Sequence, residues 1–139
     1  MSEHTQRRLI AVLGVGYLAI GCWMMFAAGS FGESIASFDG FNTHDLRDFA
    51  SFYLALGLVL LVAAARPAWR LPVLVLGTLE SALHTINHAV DVGDADPGWL
   101  GPVDLVALLL ATALFAWLAW LACPGKHAKP GTRPSGHVG

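Results

Sequence analysis

Residues 71–90, LPVLVLGTLESALHTINHAV, decide how this chain is read. The run is long and apolar enough for a helix that crosses roughly 30 Å of hydrocarbon. It nevertheless carries Glu80, His84 and His88 at a spacing of four. On an α-helix these three lie along one face. Asn87 and Asp91 form a second polar row beside them. An ionisable side chain in lipid costs about 2.5 kcal/mol or more unless it is paired or hydrated. This face therefore turns toward other helices of the chain or toward a ligand.

Three further apolar runs accompany it, at 9–28, 49–65 and 103–123. The chain has 139 residues, is 55% hydrophobic and only 13% charged. Soluble domains carry about 25% charged residues, so the deficit points to a membrane protein. The expected fold class is all-α: an integral membrane four-helix bundle in one domain spanning 1–123. Its helices are expected at about 9–28, 43–65, 72–92 and 102–123. Residues 124–139 read as a disordered tail, rich in Gly, Pro and cations.

Charge gives the chain a direction. Arg7, Arg8, Arg66, Arg70, Lys126, Lys129 and Arg133 flank one side of the four-helix reading, and Arg47 alone falls on the other. Eight of the ten acids lie toward that other side, all but Glu3 and Glu80. The positive-inside rule then makes both termini cytoplasmic, in the cytoplasmic membrane of a bacterium. The first run lacks a convincing small-residue cleavage site and reads as a retained span. Cys22 and Cys123 fall at opposite depths, which argues against a disulfide between them.

Punctuation sets the helix ends. Asn42 or Thr43 is a suitable N-cap for the second helix. Pro67–Pro72 reads as a tight turn before the third helix, and residues 93–99 as a turn rich in breakers. Residues 29–41 read as a loop. Gly14, Gly16 and Gly21 thin the first helix so that a neighbour approaches closely.

Depth follows from the helical rise of ~1.5 Å per residue. Measured from Leu71, Glu80 lies ~14 Å in, His84 ~20 Å and His88 ~26 Å. The second helix runs the opposite way, bringing His44 and Asp48 to the levels of His84 and His88. Imidazoles at i,i+4 with carboxylates from a neighbouring helix are how bundle cores hold metals. The expected ligands are Asp48, His84 and His88, joined by His44. Glu80 would be the general base, and Asn87, Asp91 and Ser51 would orient the ligands. Such nitrogen and oxygen donors suit Zn, Fe or Mn, whereas Cys22 with Met24 or Met25 would favour Cu.

The four-span layout, the first-helix text GVGYLAIG and the second-helix run FYLALGLVLLVAA resemble the DoxX-like small bacterial membrane proteins. The resemblance covers residues 9–123 and implies a four-helix membrane fold. Some members of that group act in thiol or quinone redox chemistry, but this chain has no paired-cysteine motif. No functional residue carries over.

Three functions stay open. The leading one is a metal-dependent redox or hydrolytic protein acting on a lipid-like substrate. Another is a haem b electron carrier, with His44 and His84 or His88 as axial ligands. A third is a non-enzymatic proton or cation relay, or a transport or assembly subunit, for which a pore would require a homo-oligomer. The lipid bilayer is the expected partner. Nucleic acid is not expected, because the only basic cluster is a short tail.

Overall fold

The computed structural model describes residues 1–35 and 42–124. It is all-α, with no strand among the described residues. Five helices follow in order: α1 Glu3–Phe26, α2 Ala28–Ser34, α3 Thr43–Ala65, α4 Pro67–Val90 and α5 Leu100–Ala122. Three of them, α1, α3 and α5, are long and apolar enough to cross a membrane.

The helix starts are set by local chemistry. Ser2 caps α1, its Oγ accepting from the Thr5 N–H at 3.2 Å. The polar residues 3–8 are thereby the first turns of a helix and not a lead before it. Asn42 caps α3 through Oδ1, which accepts from the His44 N–H at 2.9 Å. Pro67 occupies the first turn of α4, where its missing N–H costs nothing. The expected turn at 67–72 is therefore helical, and Pro72 lies inside α4. That proline sacrifices a single backbone bond and does not end the helix.

The expected loop at 29–41 is corrected in part. Residues 28–34 form α2, because Phe31 seats in an apolar cluster with Met24 and Ala50, and its ring meets Trp23 edge-on. Residues 36–41, like the expected tail from 125 onward, lie outside the described residues.

Packing produces two close antiparallel pairs, α1 with α3 and α4 with α5, while α3 meets α4 less extensively. Glycine governs the first pair. A Cβ on Gly14 would stand 3.0 Å from the Gly57 carbonyl oxygen, and one on Gly57 would stand 2.8 Å from Leu18. Gly21 is similarly tight against Leu54, whereas Gly16 faces open space. Small residues matter here because lipid removes most of the hydrophobic drive between helices and leaves close contact to hold them.

One apolar core joins all four long helices. It contains Ile10, Leu56, Leu60, Val73, Leu74, Phe115 and Leu118. Outside it, α5 presents Val103, Val106, Leu109, Leu110, Trp117 and Trp120 to the surroundings. Such continuous apolar surface is foreign to soluble monomers and fits association with a lipid bilayer.

Arg70 closes the end of the molecule where α3 passes into α4. It is 6% exposed. Its guanidinium donates from Nε to the Ala63 carbonyl (3.3 Å), from Nη2 to the Ala64 carbonyl (3.5 Å) and from Nη1 to Gln6 Oε1 (3.4 Å). Glu3 pairs with it at 3.6 Å. Gln6 in turn donates to the Leu118 carbonyl at 3.4 Å. A residue that charge counting assigns to a flank thus ties α1, α3, α4 and α5 together.

Candidate functional site

The buried stripe of α4 runs through Val73, Leu74, Gly77, Ser81 and Thr85. Helical geometry sets Glu80, His84 and His88 immediately beside that stripe, and all three are half-buried. The polar row therefore borders the contact between helices and is not turned fully to either side.

Glu80 is answered by α1. The Tyr17 hydroxyl donates to Glu80 Oε2 at 3.3 Å. Tyr17 stacks on Tyr53 of α3, with ring centroids 4.9 Å apart, and meets Phe115 of α5 edge-on at 5.7 Å. Tyr53 is itself within electrostatic range of Glu80. Ser81, 1% exposed, holds its buried Oγ beside the Tyr17 phenol. Gly77 makes room for this arrangement: a Cβ there would stand 2.5 Å from the Phe115 ring.

One turn further along α4, the His84 and His88 rings lie 4.7 Å apart, tilted by 39°. Asp104, in the first turns of α5, is within electrostatic range of His88. Between these levels the Thr85 and Thr112 hydroxyls lie 3.1 Å apart across α4 and α5, with the Ser81 carbonyl 2.7 Å from the first and the Leu108 carbonyl 2.9 Å from the second, so that when one hydroxyl donates across the helices the other donates to its own.

The expected α3 ligands stand apart from this row. His44 and Asp48 pair with each other at 3.6 Å on one exposed face, with side chains 79% and 73% exposed. The Ser51 hydroxyl donates to the Asp48 carbonyl at 2.7 Å and does not turn toward an imidazole. Asn87 is exposed and Asp91 half-buried. Cys22 is exposed and Cys123 half-buried, both as free thiols. Among the described residues, no group of three or more His, Cys, Asp or Glu side chains could hold a metal ion.

Sequence reasoning missed Tyr17 and Tyr53 as members of the cluster, and set Asp104 at the outer level of the fourth helix only as a helix-dipole partner. A signal was present for two of them. The chain has two tyrosines, both inside apolar runs, and a phenol in such a place needs a polar partner. Asp104 carried no comparable signal, since an acid in the first turns of a helix is accounted for by the helix dipole.

Comparison with protein-family models, with curated proteins and with solved structures finds no match to this chain.

Proposed function

We propose that this chain is a small four-span protein of a bacterial cytoplasmic membrane whose α4 row takes up and exchanges protons. In this reading α4 joins α1, α3 and α5 in crossing the bilayer, and the Arg-rich end is cytoplasmic. Protons enter from the opposite end past Asp104 and His88, pass His84, and reach Glu80 near mid-membrane. The observation that carries the proposal is the Tyr17–Glu80 hydrogen bond between α1 and α4, followed along α4 by the His84–His88 pair. A relay requires titratable groups in sequence, each near the next, and needs no third metal ligand.

The row ends at Glu80. Beyond it lie Gly77, Leu74 and Val73, all buried. Among the described residues the row on α4 therefore stops short of the cytoplasmic end, and it serves as an uptake and exchange site. Passage to the other side would require movement of the helices or a homo-oligomer.

Infrared difference spectra of the reconstituted protein, taken between acidic and alkaline buffer, test this. A protonated-carboxyl band is expected to come and go with pH, to vanish in Glu80→Gln, and to respond more slowly to a pH step in His84→Ala and His88→Ala. A pH-independent band, or a metal bound stoichiometrically to the purified untagged protein, would overturn the relay in favour of the metal-centred reading.

A further inference from the structure

Residues seven apart on an α-helix lie nearly in line, two turns along. Such lines show where each helix is covered. On α3 the line Ala64–Gly57–Ala50 faces α1 and stays buried throughout, with Ala50 at 0% exposed. The neighbouring line Ala63–Leu56–Phe49 begins in the core shared by the four long helices. There Leu56 is 3% exposed, yet Phe49, at the height of Ala50, is 56% exposed.

The second pair repeats the pattern. On α4, Arg70 and Gly77 are buried, whereas His84 and Asp91 on the same line are half-buried. Beside His84, Thr85 stays buried against Thr112 of α5. Further on, Gly101 of α5 lies against the Val92 carbonyl. Leu118 of α5 is buried, while Ala111 and Asp104 on its line are half-buried. Each pair is thus closed within itself, and the seam between the pairs loses its cover away from Arg70.

Connectivity places a pivot at the Arg70 end. The chain turns back at the far end within each pair, from α1 and α2 to α3 and again from α4 to α5. Arg66 alone carries it from one pair to the other. That end is fixed by the Arg70 clasp, by the Gln6 bond to Leu118 and by the shared core. The second apolar cluster, Met24 with Phe31 and Ala50, belongs to the first pair alone. The Tyr17–Glu80 hydrogen bond crosses the seam at the edge of the shared core.

We infer that α1–α2–α3 and α4–α5 swing as two bodies about the Arg70 end, opening and closing the seam at the far end, with the Tyr17–Glu80 bond as latch. Hinged domains move in this way when one end holds the chain crossing and the other holds little contact. Closure brings Phe49 toward α4 and α5 and covers the His84 line. The motion goes beyond proton exchange and does not depend on it.

Distances between pairs of spin labels in the full chain, reconstituted in bilayers, test this by pulsed electron resonance. Asp45→Cys with Asn87→Cys spans the seam at the far end, and Val12→Cys with Ala116→Cys spans the pairs nearer Arg70, all at exposed positions. Both pairs are made with Cys22 and Cys123 replaced by alanine. Native Cys22 with Asp45→Cys, in a Cys123→Ala background, reads the far end within the first pair. The far-end distribution across the seam is expected to be broad or two-peaked, and the other two narrow. Tyr17→Phe is expected to raise the ratio of long to short distances about threefold, the average worth of one hydrogen bond between membrane helices.

A single narrow distance across the far end would overturn the inference. Equal breadth for Cys22 with Asp45→Cys would do so too, since α3 would then be fraying rather than swinging. An unchanged distribution in Tyr17→Phe would remove the latch. The infrared band of Glu80 is read separately, so a rigid bundle with a pH-dependent band removes this inference and leaves the relay reading in place.

Discussion

The Arg70 guanidinium donates from Nε to the Ala63 carbonyl at 3.3 Å, so a side chain in the first turn of α4 completes the last turn of α3. The final carbonyls of a helix have no partner within it. In a membrane protein they must still be satisfied. Arg70 does this for Ala63 and Ala64 while also binding Gln6 and Glu3 of α1.

Arg70→Ala leaves two helix-end carbonyls and the Gln6 side chain without this donor. The expected loss is about 2–3 kcal/mol of stability, the range for hydrogen bonds to a buried charged group. Lysine at the same position keeps the charge but has no fork of donors, so Arg70→Lys is expected to recover only part of it. Thermal unfolding of both variants in detergent, compared with the parent, reads the difference. Equal unfolding temperatures for Arg70→Ala and the parent would show that the clasp contributes nothing.

Gly77 is a packing requirement. Alanine there brings a Cβ to 2.5 Å from the Phe115 ring, which is fully buried and has little room to retreat. Gly77→Ala is expected to destabilise by about 1–3 kcal/mol, as overpacked cores do. Phe115→Leu should recover part of that loss when combined with it, since the two residues are in contact and their effects are not additive. A simple sum in the double variant would place the strain elsewhere.

Tyr17→Phe removes the hydroxyl that answers Glu80 while preserving the stack on Tyr53. Hydrogen bonds between membrane helices contribute about 0.6 kcal/mol on average and up to about 1.7, so a modest loss in that range is expected. The more telling measurement is the infrared carboxyl band of Glu80, which should shift in frequency when its donor is lost. An unchanged band would mean that the bond is not maintained in the bilayer.

The His44–Asp48 pair should behave in the opposite way to Arg70. Both side chains are largely exposed, at 79% and 73%, on one face of α3. His44→Ala is expected to change stability by no more than about 0.5 kcal/mol, and by less at high salt. A loss comparable to that of Arg70→Ala would show that His44 has a partner in the bilayer beyond Asp48.

Much of this architecture is legible in the chain itself. Apolar run length locates the long helices, and Asn42 marks where α3 starts, whereas the two prolines at 67 and 72 predict a turn where α4 has already begun. The i,i+4 spacing of Glu80, His84 and His88 puts them on one face, and the structure keeps them there at the margin of the buried stripe. The start of α1 is less legible, because Ser2 and Glu3 look like a polar lead until Arg70 is seen to fold back onto Glu3. Segment 28–34 lacks helical length of its own and is helical around the seat of Phe31.

What the sequence determined by itself is therefore the helices, their apolar character and the existence of a polar face on α4. Those properties depend on hydrophobicity and on a period of 3.6 residues, which are local. The tertiary structure decided which groups answer that face. Helical rise says nothing of rotation about the axis, so Asp48 is largely exposed and pairs with His44, while Tyr17 and Tyr53 reach the neighbourhood of Glu80. The rotation is set by close approach at Gly14, Gly57 and Gly77, where contact between helices leaves one arrangement that fits.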